Sequence, residues 1–202
     1  HPNGGQAYWS SFLVADAGSA VVLETSGTEW AVETVRDTRA ISNRLTIPDF
    51  HDRLHPDTGG LIERFVDPRL EASQDLLGAA PGDVAATKAH LRSHVGNDGY
   101  SVCMHSPAAD ATTASMIAVL GGARPRGWFL LGRPCRSVYV PLWVGRPLGT
   151  PPTWERFAAL ADDDIDAARS LEAELDRDAS DDDAWAPEAW RRVDAFLSAR
   201  DR

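Results

Sequence analysis

The sequence predicts an α+β domain in which helices pack in layers on antiparallel sheet. Three observations carry this. Strand-length apolar runs separated by short turns fill residues 8–43. Helix signals follow, then a second set of strand signals, then a helical tail with apolar residues at three- and four-residue steps. Strand and helix do not alternate one for one, so the order does not suit a doubly wound parallel fold.

Taken in order, Phe12 to Asp16 reads as a strand, with Ala17-Gly18-Ser19 as its turn. Ala20 to Thr25 is the next strand, and Ser26-Gly27-Thr28 turns again. In the third, Trp30, Val32 and Thr34 share one face and Glu29, Ala31 and Glu33 the other, the period of two of a sheet packed on one side. Arg39 to Asn43 reads as a short fourth strand. Pro48, Pro56 and Gly59-Gly60 break regular structure, so 44–65 reads as a loop. Asp67-Pro68 opens a helix to about Leu77, with Gly78 as its stop. Pro81-Gly82-Asp83 opens another, to about His94. Strands are expected at Tyr100–His105, Thr112–Leu120, Gly127–Leu131 and Ser137–Val144, where β-branched and aromatic residues gather. A long helix carries Trp154, Phe157, Ala161, Ile165, Ala168, Leu171 and Leu175, and Pro187 begins the last one.

With 202 residues, 43% of them hydrophobic and 25% charged, the chain is long enough for one domain with a real core. A single domain over 1–202 is expected, with 153–202 as its C-terminal helical segment. The net charge of −10 argues against a nucleic-acid partner, which needs a basic face. No apolar run is long enough to span a bilayer and no signal peptide is readable, so no membrane partner and a cytoplasmic location are expected. Two cysteines, Cys103 and Cys135, make no disulfide framework. His1 stands where an initiator Met would, which suggests a fragment or a processed product. The acidic runs Asp162-Asp163-Asp164 and Asp181-Asp182-Asp183 read as solvated helix ends and a linker.

Asn43 leads the candidates for chemistry. A carboxamide at a strand end can donate an N–H to a developing oxyanion, or it can satisfy turn backbone. His51 and His55, and His90 and His94, are spaced as zinc pairs on a helix, without an evident third ligand. Surface helices account for both pairs. His105 beside Cys103 reads as a strand histidine next to a buried thiol. Cys135 lies between arginines that would favour its thiolate, but no base adjoins it in sequence. The hydroxyls of Thr112-Thr113-Ala114-Ser115 read as cross-strand pairing. No cofactor and no metal are expected.

Several strings, taken in order, resemble the secernin and dipeptidase family of N-terminal-nucleophile (Ntn) cysteine hydrolases. They are Asn3-Gly4-Gly5, Ser11-Phe12-Leu13-Val14-Ala15-Asp16, Val22-Leu23-Glu24-Thr25, Trp30-Ala31 and Ile41-Ser42-Asn43. Further on come Thr112-Thr113-Ala114-Ser115-Met116, Arg136-Ser137-Val138-Tyr139-Val140-Pro141 and the helix from Trp154. The likeness runs over most of the chain and is loose over 48–100.

The resemblance implies an αββα sandwich, two antiparallel sheets between helical layers. It implies cleavage of amide bonds in small substrates such as dipeptides, by a cysteine at a processed N-terminus whose own α-amine is the base. It makes Asn43 the oxyanion-stabilising residue. The family's nucleophile belongs to a segment preceding the Gly-Gly region, and neither Cys103 nor Cys135 sits in a matching context. The chain therefore reads as the C-terminal part of such an enzyme, with the sandwich incomplete and the chain inactive alone. Its expected partners are the missing N-terminal segment, a small peptide or amide substrate and a second copy in a homo-oligomer. The alternative is a non-catalytic secernin-like interaction protein linked to secretion.

Overall fold

A computed structural model of the protein describes residues 9–27, 29–54, 60–97, 100–105 and 111–200. It is mixed α+β, with two three-stranded antiparallel sheets and a two-stranded hairpin. The chain divides into two compact units, one of His1–His90 with His94–Val102, the other of Leu91–Ser93 with Cys103–Arg202. Among the described residues no helix is long and apolar enough to cross a membrane.

In the first unit, β1 (Ser10–Ala15), β2 (Ala20–Ser26) and β3 (Glu29–Val35) form a meander. Asp16 fixes the first turn, its Oδ1 accepting the backbone N–H of Gly18 and of Ser19, each at 2.8 Å. These bonds favour the carboxylate and hold the Asp16 pKa below its ordinary value. Phe12 pairs with Leu23 and Leu23 with Val32, so alternate residues of all three strands share a face. Val22 and Glu24 on one face are fully buried. On the other, Phe12, Val14, Trp30 and Val32 are exposed, Trp30 by 69%.

The expected fourth strand is absent: residues 39–43 are irregular. The expected loop after it holds two helices, α1 (Pro48–Leu54) and α2 (Leu61–Phe65). Pro48 sits in the first turn of α1, where a missing N–H costs nothing. The helix from Asp67 forms as α3 (Asp67–Ala79), running through Gly78. The next, α4, spans only Val84–Leu91. The strand expected at Tyr100–His105 shrinks to a hairpin of β4 (Gly96–Asn97) and β5 (Tyr100–Ser101).

The second unit holds β6 (Ala114–Val119), β7 (Arg126–Leu131) and β8 (Val140–Trp143) in sequential antiparallel order. Three helices follow: α5 (Trp154–Ala158), α6 (Ile165–Asp178) and α7 (Trp185–Ser198). The single long helix expected from Trp154 is therefore two, parted by a short turn at Asp162–Asp164. The break has a cause. Asp164 is buried, accepts the Ala161 N–H at 3.1 Å and pairs with Arg200 at 3.0 Å. A buried carboxylate held at both ends turns the chain there. Val138, Val140 and Leu142 make one core with Phe157, Leu175, Trp190 and Val193. The Trp185 indole N–H donates to the Pro141 carbonyl at 2.6 Å, tying α7 to β8.

Truncating Leu175, which is fully buried, to Ala is expected to cost about 2–5 kcal/mol, read as a lowered guanidinium midpoint. Gly132 has φ +86°, and a Cβ there would meet the Phe157 Cβ at 2.9 Å. Gly132→Ala should therefore destabilise the same unit, whereas Gly121→Ala, where a Cβ meets nothing within 4 Å, should leave the midpoint close to wild type.

Candidate functional site

Glu24 builds the first candidate site. A buried carboxylate needs hydrogen-bond donors, and one segment supplies most of them. Oε1 accepts the Thr46 N–H at 2.6 Å and the Thr46 hydroxyl at 2.7 Å, and Oε2 accepts the Ile47 N–H at 3.0 Å. The Ser11 hydroxyl on β1 lies 3.5 Å from Oε1 and 3.1 Å from the Arg44 carbonyl, to which it donates. The segment after β3 is thus fastened to β1 and β2 through side chains. The irregular residues 39–43 lead into this anchor. Arg39 adds to the clamp, reaching Glu33 at 3.0 Å and the Thr46 hydroxyl at 2.7 Å.

Ser42, Asn43 and Arg44 then face Trp9, Ser10, Ser11 and Phe12 across a groove of about 410 Å³. Asn43 sits at a bend and is exposed. Its Oδ1 accepts from the Arg69 guanidinium at 3.3 Å, which leaves the NH₂ end of the carboxamide as the donor end. Arg44 pairs with Asp67 at the start of α3, and its Nη2 lies 3.0 Å from His51 Nε2. His51 thus serves this network, and His55 lies outside the described residues. His90 Nε2 meets the Ser73 hydroxyl at 2.9 Å, between α4 and α3. His94 lies beyond the end of α4 and is exposed, so that pair does not share a helical face.

The second unit brings together residues that sequence spacing does not connect. Cys135 Sγ lies 3.0 Å and Cys103 Sγ 3.4 Å from His105 Nε2. Cys103 is fully buried, and Cys135 and His105 are half-buried. Hydrogen bonding with Cys135, and then burial, push the Cys103 thiol pKa well up. Ser115 Oγ on β6 meets the Tyr139 hydroxyl at 2.7 Å, the cross-strand pairing expected of that hydroxyl run. Burial raises the Tyr139 pKa. Arg169 on α6 donates to the carbonyls of Cys135 and Ser137 at 2.6 and 2.7 Å. Arg92 reaches the Pro134 carbonyl at 3.2 Å and pairs with buried Glu172, which also accepts the Tyr139 N–H at 2.8 Å. The acidic runs lie at helix ends, but they are not uniformly solvated as expected: Asp164 is buried and Asp181 pairs with Arg146 at 3.0 Å. Asp164 precedes α6, and Asp182 accepts the Ala184 N–H at 2.9 Å just before α7.

No family model matches the chain, and no solved structure matches it.

Removing the Glu24 carboxylate by Glu24→Ala strands the Thr46 and Ile47 amides. It should destabilise the first unit by about 3 kcal/mol, read by urea unfolding, with Glu24→Gln losing less because one carbonyl acceptor remains. Burial also holds the His90 pKa below its ordinary value. The unfolded chain then binds more protons than the folded one as the pH falls through the imidazole range. The stability contributed by neutral His90 is full above a pH of about 6.5 and declines below it. The decline in urea midpoint on acidification should be shallower in His90→Gln than in wild type.

Proposed function

We propose that this chain is the C-terminal part of a cysteine Ntn hydrolase of the secernin and dipeptidase kind, cleaving amide bonds in small substrates such as dipeptides. One observation carries the reading. Two of the strings that carry the resemblance, far apart in the sequence, line one groove, Ser11 and Phe12 from β1 and the Ser42-Asn43 bend, while Glu24 of a third string is buried and holds the segment that follows the bend. A second pair of matching strings also meets, at the Ser115–Tyr139 hydroxyl contact.

In this reading the nucleophile comes from a segment outside these residues. Its thiolate adds to the substrate carbonyl while its own α-amine takes the thiol proton. The negative charge that develops on the carbonyl oxygen is met by the Asn43 N–H, already oriented because Arg69 holds the other end of the amide. The amine leaves with the proton, and water hydrolyses the thioester. Neither cysteine of this chain suits that attack. Hydrogen bonding with Cys135, and then burial, disfavour the Cys103 thiolate, and neither cysteine sits in a sequence context that matches the family's nucleophile.

The two antiparallel sheets with helices are compatible with an αββα sandwich. The exposed apolar face of the first sheet supports the same reading, because a face carrying Phe12, Val14, Trp30 and Val32 is one that a complete sandwich would cover. Its open edges also suit self-association.

The test is the complete gene product assayed against dipeptides and acyl-amino acids, with the mature N-terminus read by mass spectrometry. A processed N-terminal Cys and hydrolysis are expected, and Asn43→Ala should lower kcat by roughly 10²–10³ with little change in KM. Hydrolysis at the wild-type rate in Asn43→Ala would remove Asn43 from the chemistry. A product with no N-terminal Cys and no amidase activity would favour the non-catalytic interaction protein.

A further inference from the structure

We propose that Cys103, His105 and Cys135 form a binding site for a divalent cation of the zinc class. The donor set is the first argument. Two thiolates and an imidazole suit zinc, whereas calcium and magnesium take oxygen ligands. The three ligand atoms lie within 4.8 Å of one another.

The spacing is the second argument. Tetrahedral zinc, with bonds of roughly 2.3 Å to sulfur and 2.0–2.1 Å to nitrogen, places neighbouring ligand atoms roughly 3.5–3.8 Å apart. The two sulfur–nitrogen separations of 3.0 and 3.4 Å fall just inside that edge length. A small expansion therefore admits the ion. Both sulfurs also approach the same imidazole nitrogen, which has either one proton or one lone pair to offer. One cation placed between them can bond all three atoms.

The third argument is that both ligand-bearing segments are held by bonds that do not involve the ligand atoms. The Cys103 N–H donates to the Ser93 carbonyl at 2.9 Å. The Met104 N–H donates to the Thr112 hydroxyl at 2.8 Å, and His105 bridges to Ala111. On the other side, Arg136 and Ser137 donate N–H groups back to the Arg133 carbonyl at 3.0 and 2.9 Å, closing the turn that presents Cys135. Arg169 and Arg92 fix the carbonyls of that turn. Such support sets ligand orientation in advance and strengthens binding.

Binding is a proton exchange, not a redox step. One Zn²⁺ forms two Zn–S bonds and one Zn–N bond, and the two thiol protons pass to solvent. The fourth position goes to water or a further donor. The raised Cys103 pKa is that of the metal-free thiol, and the ion itself reverses it.

The experiment is a Co²⁺ titration of the reduced, metal-free chain under anaerobic conditions, followed by Zn²⁺. One equivalent of Co²⁺ should bind with a thiolate-to-metal charge-transfer band and the intense visible bands of a tetrahedral site. One equivalent of Zn²⁺ should displace it, and Zn²⁺ added to the metal-free chain should release about two protons. Cys135→Ser and His105→Ala should weaken binding by more than about a hundredfold while far-UV circular dichroism stays that of wild type. His105→Cys, which restores a ligand, should bind with a stronger charge-transfer band. Absence of the band in wild type at stoichiometric Co²⁺ overturns the proposal without reference to any variant. Undiminished binding in folded Cys135→Ser overturns it as well.

Discussion

A carboxylate buried in a strand cannot remain without donors, and Glu24 answers that constraint by recruiting the segment after the meander. Its two oxygens take two backbone N–H groups and a hydroxyl from Thr46 and Ile47. The consequence reaches past the bonds themselves. The chain between Arg39 and Ile47 is held as an irregular loop against β1, the groove beside Ser11 opens, and Asn43 is placed at its edge. A buried charge is expensive to desolvate, so this arrangement specifies one loop conformation more than it adds stability. Under the proposed function, that rigidity would serve the Asn43 carboxamide.

The second unit repeats the device with different residues. Glu172 is buried, and Arg92 and the Tyr139 N–H satisfy it. Arg169 lies beside the same group and holds the turn around Cys135. The guanidinium groups fix backbone carbonyls as much as they balance charge, since a planar fork reaches several acceptors at once. In both units a buried acid sets the position of a loop, and the loop carries the residues with chemical potential.

Much of the architecture was legible in local sequence. The turn after Asp16, the helix opened by Asp67-Pro68 and the existence of a last helix around Pro187 all follow from short-range signals. What escaped depends on contacts distant in the chain. The alternation around Ile41 looks like a strand, but Glu24, 22 residues away from Thr46, holds that segment by its side chain. Asp164 breaks the long amphipathic stripe because Arg200 waits at the far end of the chain to pair with it. Cys103 and His105 are two residues apart, and the structure brings both side chains to one place, with Cys103 Sγ 3.4 Å from His105 Nε2. Cys135 joins them only through the fold, across 30 residues from His105. Residue type and resemblance point to Asn43, whereas its contact with Arg69 depends on a helix 26 residues further on.

The central claim is that the Glu24 clamp, and not local turn preference, fixes the loop that carries Asn43. Native-state amide exchange of Thr46 and Ile47, followed by NMR, tests it most directly. If the clamp holds, both amides exchange only with opening of the sheet and are as protected as Val22 and Leu23 in β2. Exchange at the rate of the Gly18 amide in the exposed first turn would show that the loop moves independently of Glu24, and the groove would lose its organising bond.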